Sequence, residues 1–397
     1  MRKKQLLTVA LSGVLVLGQA GTAFAVGPGQ SAGNTKPDSY TQEQWDRLND
    51  NKIEFDEISD LVLNFNPTVQ SAAFQISDGF SDSREQLTEL EIQAKDLEDQ
   101  AKEVKESDIY STPMGKAQYK ALKDGAAQIR SGAKTMRDKL NKAENSAERS
   151  GLVVAQKSVA NGAEQLMIGY SSAAANQAMM QKYCEVSQAA YEAQKLSAQT
   201  GLATEVDVMS AEAGLLAAQS SLISLTNTVD SLKDSLCLLV GVPIENNPEI
   251  GAIPQMDMGE IDQINLEADT VKAIGNNYTL ISERHSSSDK STSGINNRLA
   301  QIDVSEQKLT IKMQSLYQEL LAQRSAYETA QISWQKANLE KEKADRSYQY
   351  GMISKIVYLQ AQMGYLKSQG EYQTAYYNLF QAYSAYKWAV NGVVSIE

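Results

Sequence analysis

The sequence predicts an all-α protein built from tandem, long antiparallel helical hairpins. Three observations predict this fold class. Proline is rare, with seven in 397 residues, and helix-favouring Ala, Gln, Leu, Glu and Lys are abundant. Apolar residues recur at alternating spacings of three and four over several long segments. The same pattern returns further along the chain in a constant register that aligns residue 201 with residue 351, which indicates an internal duplication.

The N-terminal segment has the pattern of a secretory signal peptide, residues 1–25. Three basic residues after Met1 precede an apolar run from Leu6 to Leu17, and Ala23-Phe24-Ala25 supplies a small-residue cleavage site. An uncleaved anchor is the alternative, but the apolar run is short for a membrane-spanning helix. Residues 26–45, rich in Gly, Ser, Thr, Asn and Pro, predict a flexible tether.

Residues 46–241 form the first predicted helical repeat, and it contains an extra coiled-coil hairpin at residues 82–148. Two heptad seams flank the turn-rich stretch Ser107 to Gly115. Seams joined by a short turn are expected to pair antiparallel. The seam residues are Leu87, Leu90, Ala94, Leu97, Ala101 and Val104, then Tyr119, Leu122, Ala126, Ile129, Ala133, Met136, Leu140, Ala143 and Ala147.

Beyond this hairpin, helix is expected to about Thr200, followed by a turn and a second helix that ends at Gly241-Val242-Pro243. Residues 242–264 are a predicted linker with three prolines. The second repeat covers residues 265–392, and residues 393–397 are a C-terminal tail. Within it we predict one short helix from Leu266 to Arg284, a loop from His285 to Gly294, and two long helices that meet at Gly351.

The duplication aligns Gly201 with Gly351 and Ala211 with Ala361. The copies differ in their seams, because the second copy has tyrosines where the first has Leu or Val. We expect each tyrosine to face a small residue across the hairpin, since large and small side chains then interlock. A tyrosine stripe that lines a pore or binds aromatic ligands is the alternative. The tyrosines are Tyr358, Tyr365, Tyr372 and Tyr386.

Composition excludes several function classes. The net charge is −12 and becomes −15 after signal removal, so a nucleic-acid partner is not expected. A single histidine and two cysteines argue against a transition-metal site and against nucleophilic triads. No glycine-rich phosphate loop is present, so we expect neither cofactor nor enzyme activity. Cys184 and Cys237 are predicted to lie too far apart along one hairpin for a disulfide.

The two predicted turns carry a family resemblance. The segment Thr200 to Ala211, TGLATEVDVMSA, resembles the periplasmic tip motif of the TolC-type outer-membrane efflux protein family. The segment Tyr350 to Ala361, YGMISKIVYLQA, is similar. Asn66-Pro67 and the closing LCLLVGVP of residues 236–243 also match the plan of that family. The resemblance extends from about Phe55 to Gly392.

This resemblance implies a homotrimer whose six hairpins form a twelve-helix barrel in the cell envelope. It also implies docking to a periplasmic adaptor protein and an inner-membrane pump of the ABC type or another class. The implied adaptor contacts are Gly201, Leu202, Ala203, Thr204, Gly351, Met352, Ile353 and Ser354. The implied pore entrance consists of Glu205, Asp207 and Lys355.

The sequence departs from the family in three places. Val357 stands where a second tip aspartate is common, and Tyr278 follows Asn277 where proline is expected. No convincing membrane β-strands are found, because Ser107 to Gly115 and His285 to Gly294 lack alternating apolar residues. Two hypotheses remain: an export conduit, in the outer membrane or on the cell surface, or a secreted structural coiled-coil protein without transport activity.

Overall fold

The computed structural model describes residues 36–37, 39–147, 151–285 and 291–394, and these residues are almost entirely helical. The predicted signal peptide, most of the tether and the last three residues of the tail lie outside the described residues. The helices are α1 (Gln42–Leu48), α2 (Ile58–Phe65), α3 (Pro67–Gly79), α4 (Ser81–Glu106), α5 (Pro113–Ala147), α6 (Val153–Gln199), α7 (Glu205–Val240), α8 (Met258–Asp262), α9 (Leu266–Asn276), α10 (Tyr278–His285), α11 (Thr292–Gln349) and α12 (Lys355–Val390).

The chain divides into two units, residues 1–46 and residues 47–397. In the first unit, Thr41 caps the start of α1 by accepting a hydrogen bond from the amide of Gln44 at 3.2 Å. The Gln44 side chain accepts the Thr41 amide in return, at 3.0 Å. This reciprocal pair is a capping box. Helices α2 to α12 belong to the second unit.

Two long hairpins, α6–α7 and α11–α12, dominate the second unit. Helix α6 packs on α12, so the four helices lie side by side in the order α7, α6, α12, α11. Helices α7 and α12 are both 36 residues long. Their first residues, Glu205 and Lys355, are aligned by the same register that aligns Gly201 with Gly351. The all-α, tandem-hairpin fold class predicted from the sequence is confirmed.

Two of the seam tyrosines of α12 pack against aromatic residues of α11. The ring of Tyr358 stacks on Tyr348 with centroids 4.5 Å apart, and Tyr372 stacks on Trp334 at 5.1 Å. The expectation that each tyrosine faces a small residue was therefore wrong for these two. Stacked aromatic pairs are themselves a favourable way to bury two large side chains between helices.

Helices α4 and α5 form the extra coiled coil. Its innermost layers are alanines, which let the two helices approach closely: Ala94, Ala101, Ala126 and Ala133. Helix α4 carries nine acidic and four basic residues, whereas α5 carries eight basic and three acidic residues. Three ion pairs join the two helices, Arg84–Glu144, Glu91–Arg137 and Glu98–Arg130. The short connection between the helices sets the antiparallel direction, and opposite charge and small core residues stabilise the pairing.

The predicted short helix from Leu266 to Arg284 is interrupted. Asn277 has extended backbone (φ −68°, ψ 120°) and separates α9 from α10. Its side chain accepts a hydrogen bond from the amide of Leu280 at 3.1 Å and so caps α10. The apolar periodicity continues across this break, which explains why one helix was predicted where the structure has two.

Two short strands were missed by the sequence analysis. Strand β1 (Lys52–Ile53) pairs in parallel with β2 (Glu249–Ile250). Each has only two residues, too few for a period-two pattern to show. The strand candidate Ser107 to Gly115 is instead a 3₁₀ turn, Asp108–Ser111, followed by the start of α5. The second candidate falls largely on residues 286–290, outside the described residues.

Among the described residues, α7 alone has the length and apolar composition of a membrane-crossing helix. Few residues of its most apolar stretch are buried. Cys237 is buried on this helix, Cys184 is half-buried on α6, and both are free thiols. In the described part of the chain, no group of three or more His, Cys, Asp or Glu side chains is arranged to hold a metal ion.

Candidate functional site at the hairpin tips

The turns of the two hairpins lie at the same end of the helices. Helices α6 and α12 run antiparallel, and Asn176 donates a hydrogen bond to the hydroxyl of Thr374 at 3.1 Å. The chain separation from Asn176 forward to Thr200 equals the separation from Thr374 back to Tyr350. The antiparallel register therefore places the α6–α7 turn level with the α11–α12 turn.

The first tip is a tight turn that requires glycine. Gly201 has a φ of 73°, which disfavours any side chain. The amide of Leu202 donates to the carbonyl of Ser197 at 2.8 Å, and the amide of Gly201 donates to Ala198 at 3.0 Å. This hydrogen-bond pair closes the C-terminus of α6 in a Schellman motif.

The second tip repeats this geometry. Gly351 has a φ of 69°. The amide of Met352 donates to the carbonyl of Ser347 at 2.8 Å, and the amide of Gly351 donates to Tyr348 at 2.9 Å. The duplicated sequence therefore folds into two matching turns.

The helices that leave the two tips are capped differently. Thr204 accepts the amide of Asp207 at 3.2 Å, and the Asp207 carboxylate accepts the amide and the hydroxyl of Thr204 at 2.9 and 2.7 Å. The hydrogen bond from the Thr204 amide holds the pKa of Asp207 below its usual range. In the second tip, Ser354 accepts the amide of Val357 at 3.3 Å, but Val357 returns no hydrogen bond.

The tips expose large apolar side chains. Leu202 is 85% exposed, Met352 and Tyr350 are each 76% exposed, and Val206 is 73% exposed. Exposed apolar residues clustered at the end of a molecule indicate a contact surface. Of the predicted adaptor contacts, Leu202 and Met352 supply the most apolar surface, while the glycines set the shape of the turns.

The structure places the predicted entrance residues at the first turns of α7 and α12. Glu205, Asp207 and Lys355 are all exposed there. Asp207 is engaged in the capping box with Thr204, so its carboxylate has a structural role at the tip. The role of these three residues at a pore entrance stays a prediction.

Other exposed apolar residues were not predicted from the sequence. Tyr350 and Val206 belong to the tip surface but were not singled out. A second apolar stripe on α7, Met209, Leu216 and Ile223, is also exposed. These three residues recur at heptad spacing and lie one position after seam residues, so a search for a second heptad stripe on the same helix would have found them.

No protein-family profile matches the chain, and no curated protein matches it. Several solved structures match the chain. The outer-membrane channel OprN has a TM-score of 0.50 at 12% identity, over 89% of this chain and 93% of that chain. The CmeC outer membrane channel of Campylobacter jejuni has a TM-score of 0.46 at 13% identity, over 92% of this chain and 91% of that chain. The likeness to OprN shows that the chain has the tandem helical-hairpin fold of the TolC-type outer-membrane channels.

Proposed function

We propose that the protein is the conduit component of an export system in the cell envelope. Copies of the chain assemble side by side into a homotrimeric helical barrel, and the hairpin tips dock an adaptor protein that connects the conduit to a membrane pump. One observation carries this proposal: the two outermost helices of the chain, α7 and α11, each expose an apolar stripe.

Each stripe lies on a helix that, in the described residues, packs along only one other long helix. In the described residues α7 packs along α6, and α11 packs along α12, while α7 and α11 do not pack on each other. The exposed stripe of α7 is Met209, Leu216 and Ile223, and that of α11 is Val304, Ile311, Ile332 and Leu339. Burial of such a side chain contributes roughly 1.5–3 kcal/mol, so association of the two edges is favourable.

The two stripes also match in height above the tips. The chain distance from the start of α7 to Leu216 exceeds that from Leu339 to the end of α11 by a single position. The same small difference separates Ile223 from Ile332. At about 1.5 Å per residue, each pair is level within about 2 Å. We infer that α7 of one copy packs antiparallel on α11 of the next copy, which closes a ring. The number three comes from the family resemblance.

Cysteine cross-linking tests this contact. In a background with Cys184→Ser and Cys237→Ser, the pair Leu216→Cys and Leu339→Cys is expected to form intermolecular disulfides on oxidation. A denaturing gel should show dimers and a closed trimer. The control pair Leu216→Cys and Ile311→Cys differs in height by about 40 Å and should not cross-link. Equal cross-linking of both pairs, or none, would contradict the arrangement.

Light scattering tests the assembly itself. The chain without residues 1–25 is expected to be a trimer. The double variant Leu216→Glu, Ile332→Glu is expected to be a folded monomer, because it would bury two carboxylates without counter-charges in every contact between copies. Ile92→Glu, a similarly exposed apolar position on α4, serves as the control and should remain trimeric. A monomeric parent protein at all concentrations would exclude a conduit.

Adaptor docking has a separate test. Leu202→Ser with Met352→Ser is expected to abolish export and adaptor cross-linking in cells while leaving the trimer intact. Phe74→Ser, an exposed apolar residue on α3 far from the tips in sequence, is the matched control. If the tip variant exports normally, the tips are not the docking surface.

The α4–α5 coiled coil favours a second candidate, a secreted or cell-surface structural protein. In the described residues this hairpin makes few contacts with the helices outside it, apart from α3, so it presents a long free surface. This function predicts that deletion of the gene leaves export unchanged. It also predicts that deletion of residues 82–147 alone causes the same surface or structural defect as deletion of the whole gene.

A further inference from the structure

A cavity of about 380 Å³ lies between the two repeats, at the end of the helices away from the tips. It is bounded by α6, α12 and residues 254–260, and Phe55 closes one side. Glu164 and the first tip lie at opposite ends of α6, so the cavity is about 54 Å from the tips. Its volume falls within the range of about 300–1,000 Å³ that is usual for small-molecule sites.

Aromatic side chains form the walls of this α6–α12 cavity. Phe55 meets Phe380 edge to face, with ring centroids 5.7 Å apart. Tyr383 and Trp388 lie on the next two turns of α12 and line the same space. Aromatic faces carry a negative potential that attracts cations.

The carboxylate of Glu164 lines the cavity beside them. The indole nitrogen of Trp388 donates to its Oε2 at 2.7 Å, and the hydroxyl of Ser384 donates to the same oxygen at 3.4 Å. Gln165 donates to Ser384 at 3.3 Å and fixes that hydroxyl. Burial raises the pKa of Glu164, and these hydrogen bonds only partly oppose the rise. In the described part of the chain, no basic side chain forms an ion pair with it.

The one lysine of the cavity is already engaged. Lys387 lies 3.4 Å from the carboxylate of Glu260, and its ammonium is 5.1 Å from the centre of the Tyr383 ring. Tyr383 also donates a hydrogen bond to Glu260. With Asp257 at the rim, the lining has three carboxylates against one ammonium group. A half-buried carboxylate without a counter-charge is costly, and a cationic ligand would offset that cost.

We propose that the α6–α12 cavity binds a small organic cation, with its ammonium group against Glu164 and Trp388 and its apolar part against Phe55 and Phe380. This site is independent of the proposed conduit, since the cavity is formed within one chain. A metal ion fits the site poorly, because in the described residues the carboxylates of the lining are not grouped closely enough to hold one.

Calorimetric titration of the chain without residues 1–25 tests the proposal. Benzyltrimethylammonium is the probe, and phenylacetate and benzyl alcohol are its anionic and neutral counterparts. We expect saturable binding of the cation only. Glu164→Gln, which keeps an acceptor for Trp388, should weaken binding at least about tenfold. Glu319→Gln, at an exposed position on α11, should leave the affinity unchanged.

A second variant, expected to increase rather than decrease cation affinity, distinguishes loss of the site from loss of folding. Lys387→Gln removes the ammonium group and frees the carboxylate of Glu260, so cation binding should become tighter. Absence of saturable binding, equal affinity of Glu164→Gln, equal binding of benzyl alcohol, or unchanged or weaker binding by Lys387→Gln would each overturn the proposal.

Discussion

Asn66 and Asn277 hold equivalent positions in the two repeats. Each caps a helix, Asn66 by accepting the amide of Val69 at 2.9 Å and Asn277 by accepting that of Leu280. Each also donates its side-chain amide to a backbone carbonyl at, or just beyond, the C-terminus of the last long helix of its repeat. Asn66 donates to the carbonyl of Leu239 at 2.7 Å, and Asn277 donates to that of Gly392 at 3.4 Å. The duplication therefore includes the contact that fastens each hairpin at the end away from its tip.

Replacing the glycine at this contact should destabilise the protein. Gly241 has a φ of 77°, and a Cβ there would overlap the carbonyl oxygen of Phe65. Gly241→Ala combines a left-handed backbone cost of about 1–2 kcal/mol with this clash, so we expect a loss above about 2 kcal/mol in denaturant unfolding. Gly214→Ala, in open space on α7, should be neutral or stabilising by up to about 1 kcal/mol. Equal effects would contradict the close approach.

The first tip should loosen in acid, and the second should not. The pKa of Asp207 is lowered in the folded protein, so its contribution is present above the unfolded pKa and is lost as pH falls through the folded value. At neutral pH, hydrogen exchange at the first turn of α7 should therefore be slower in the parent protein than in Asp207→Asn. At low pH the two proteins should exchange at the same rate. The first turn of α12, which has Val357 at the same position, is the internal control.

The alanine layers of the α4–α5 coiled coil should not tolerate larger residues. Ala126 is 1% exposed, and Ala126→Leu forces the helices apart at a cost of about 1–3 kcal/mol. Because the hairpin packs mainly on itself, limited proteolysis of the Ala126→Leu variant should cut within residues 82–147 while the rest of the chain remains intact. The neighbouring exposed residue provides the control, Ala127→Leu, which should resist the protease as the parent does.

Glu164 should reduce stability at neutral pH. Its pKa is raised by burial, so its favourable contribution is present below the unfolded pKa and is lost as pH rises through the folded value. The melting temperature of Glu164→Gln relative to the parent should therefore increase from about pH 4 to about pH 8. A constant difference over this range would show that the carboxylate is adequately solvated.

The tips were predicted only in part from the sequence. Gly201 and Gly351 were predicted as turns, and the structure has left-handed backbone at both, because glycine's freedom is a local property. The exposure of Tyr350 was not predicted, since whether a residue beside a turn is buried depends on what packs against it. The break at Asn277 was also missed, because it depends on a capping bond and a distant carbonyl rather than on periodicity.

The sequence by itself determined the long helices, their seams, the duplication and the matching turns, since each follows from interactions within a few residues or from heptad spacing. Only the tertiary structure decided the order α7, α6, α12, α11, the two asparagine contacts and the cavity. Glu164 and Trp388 are 224 residues apart, and nothing local to either residue indicates the other. Their hydrogen bond exists because two separately formed hairpins pack in one register, and side-chain fit between helices sets that register.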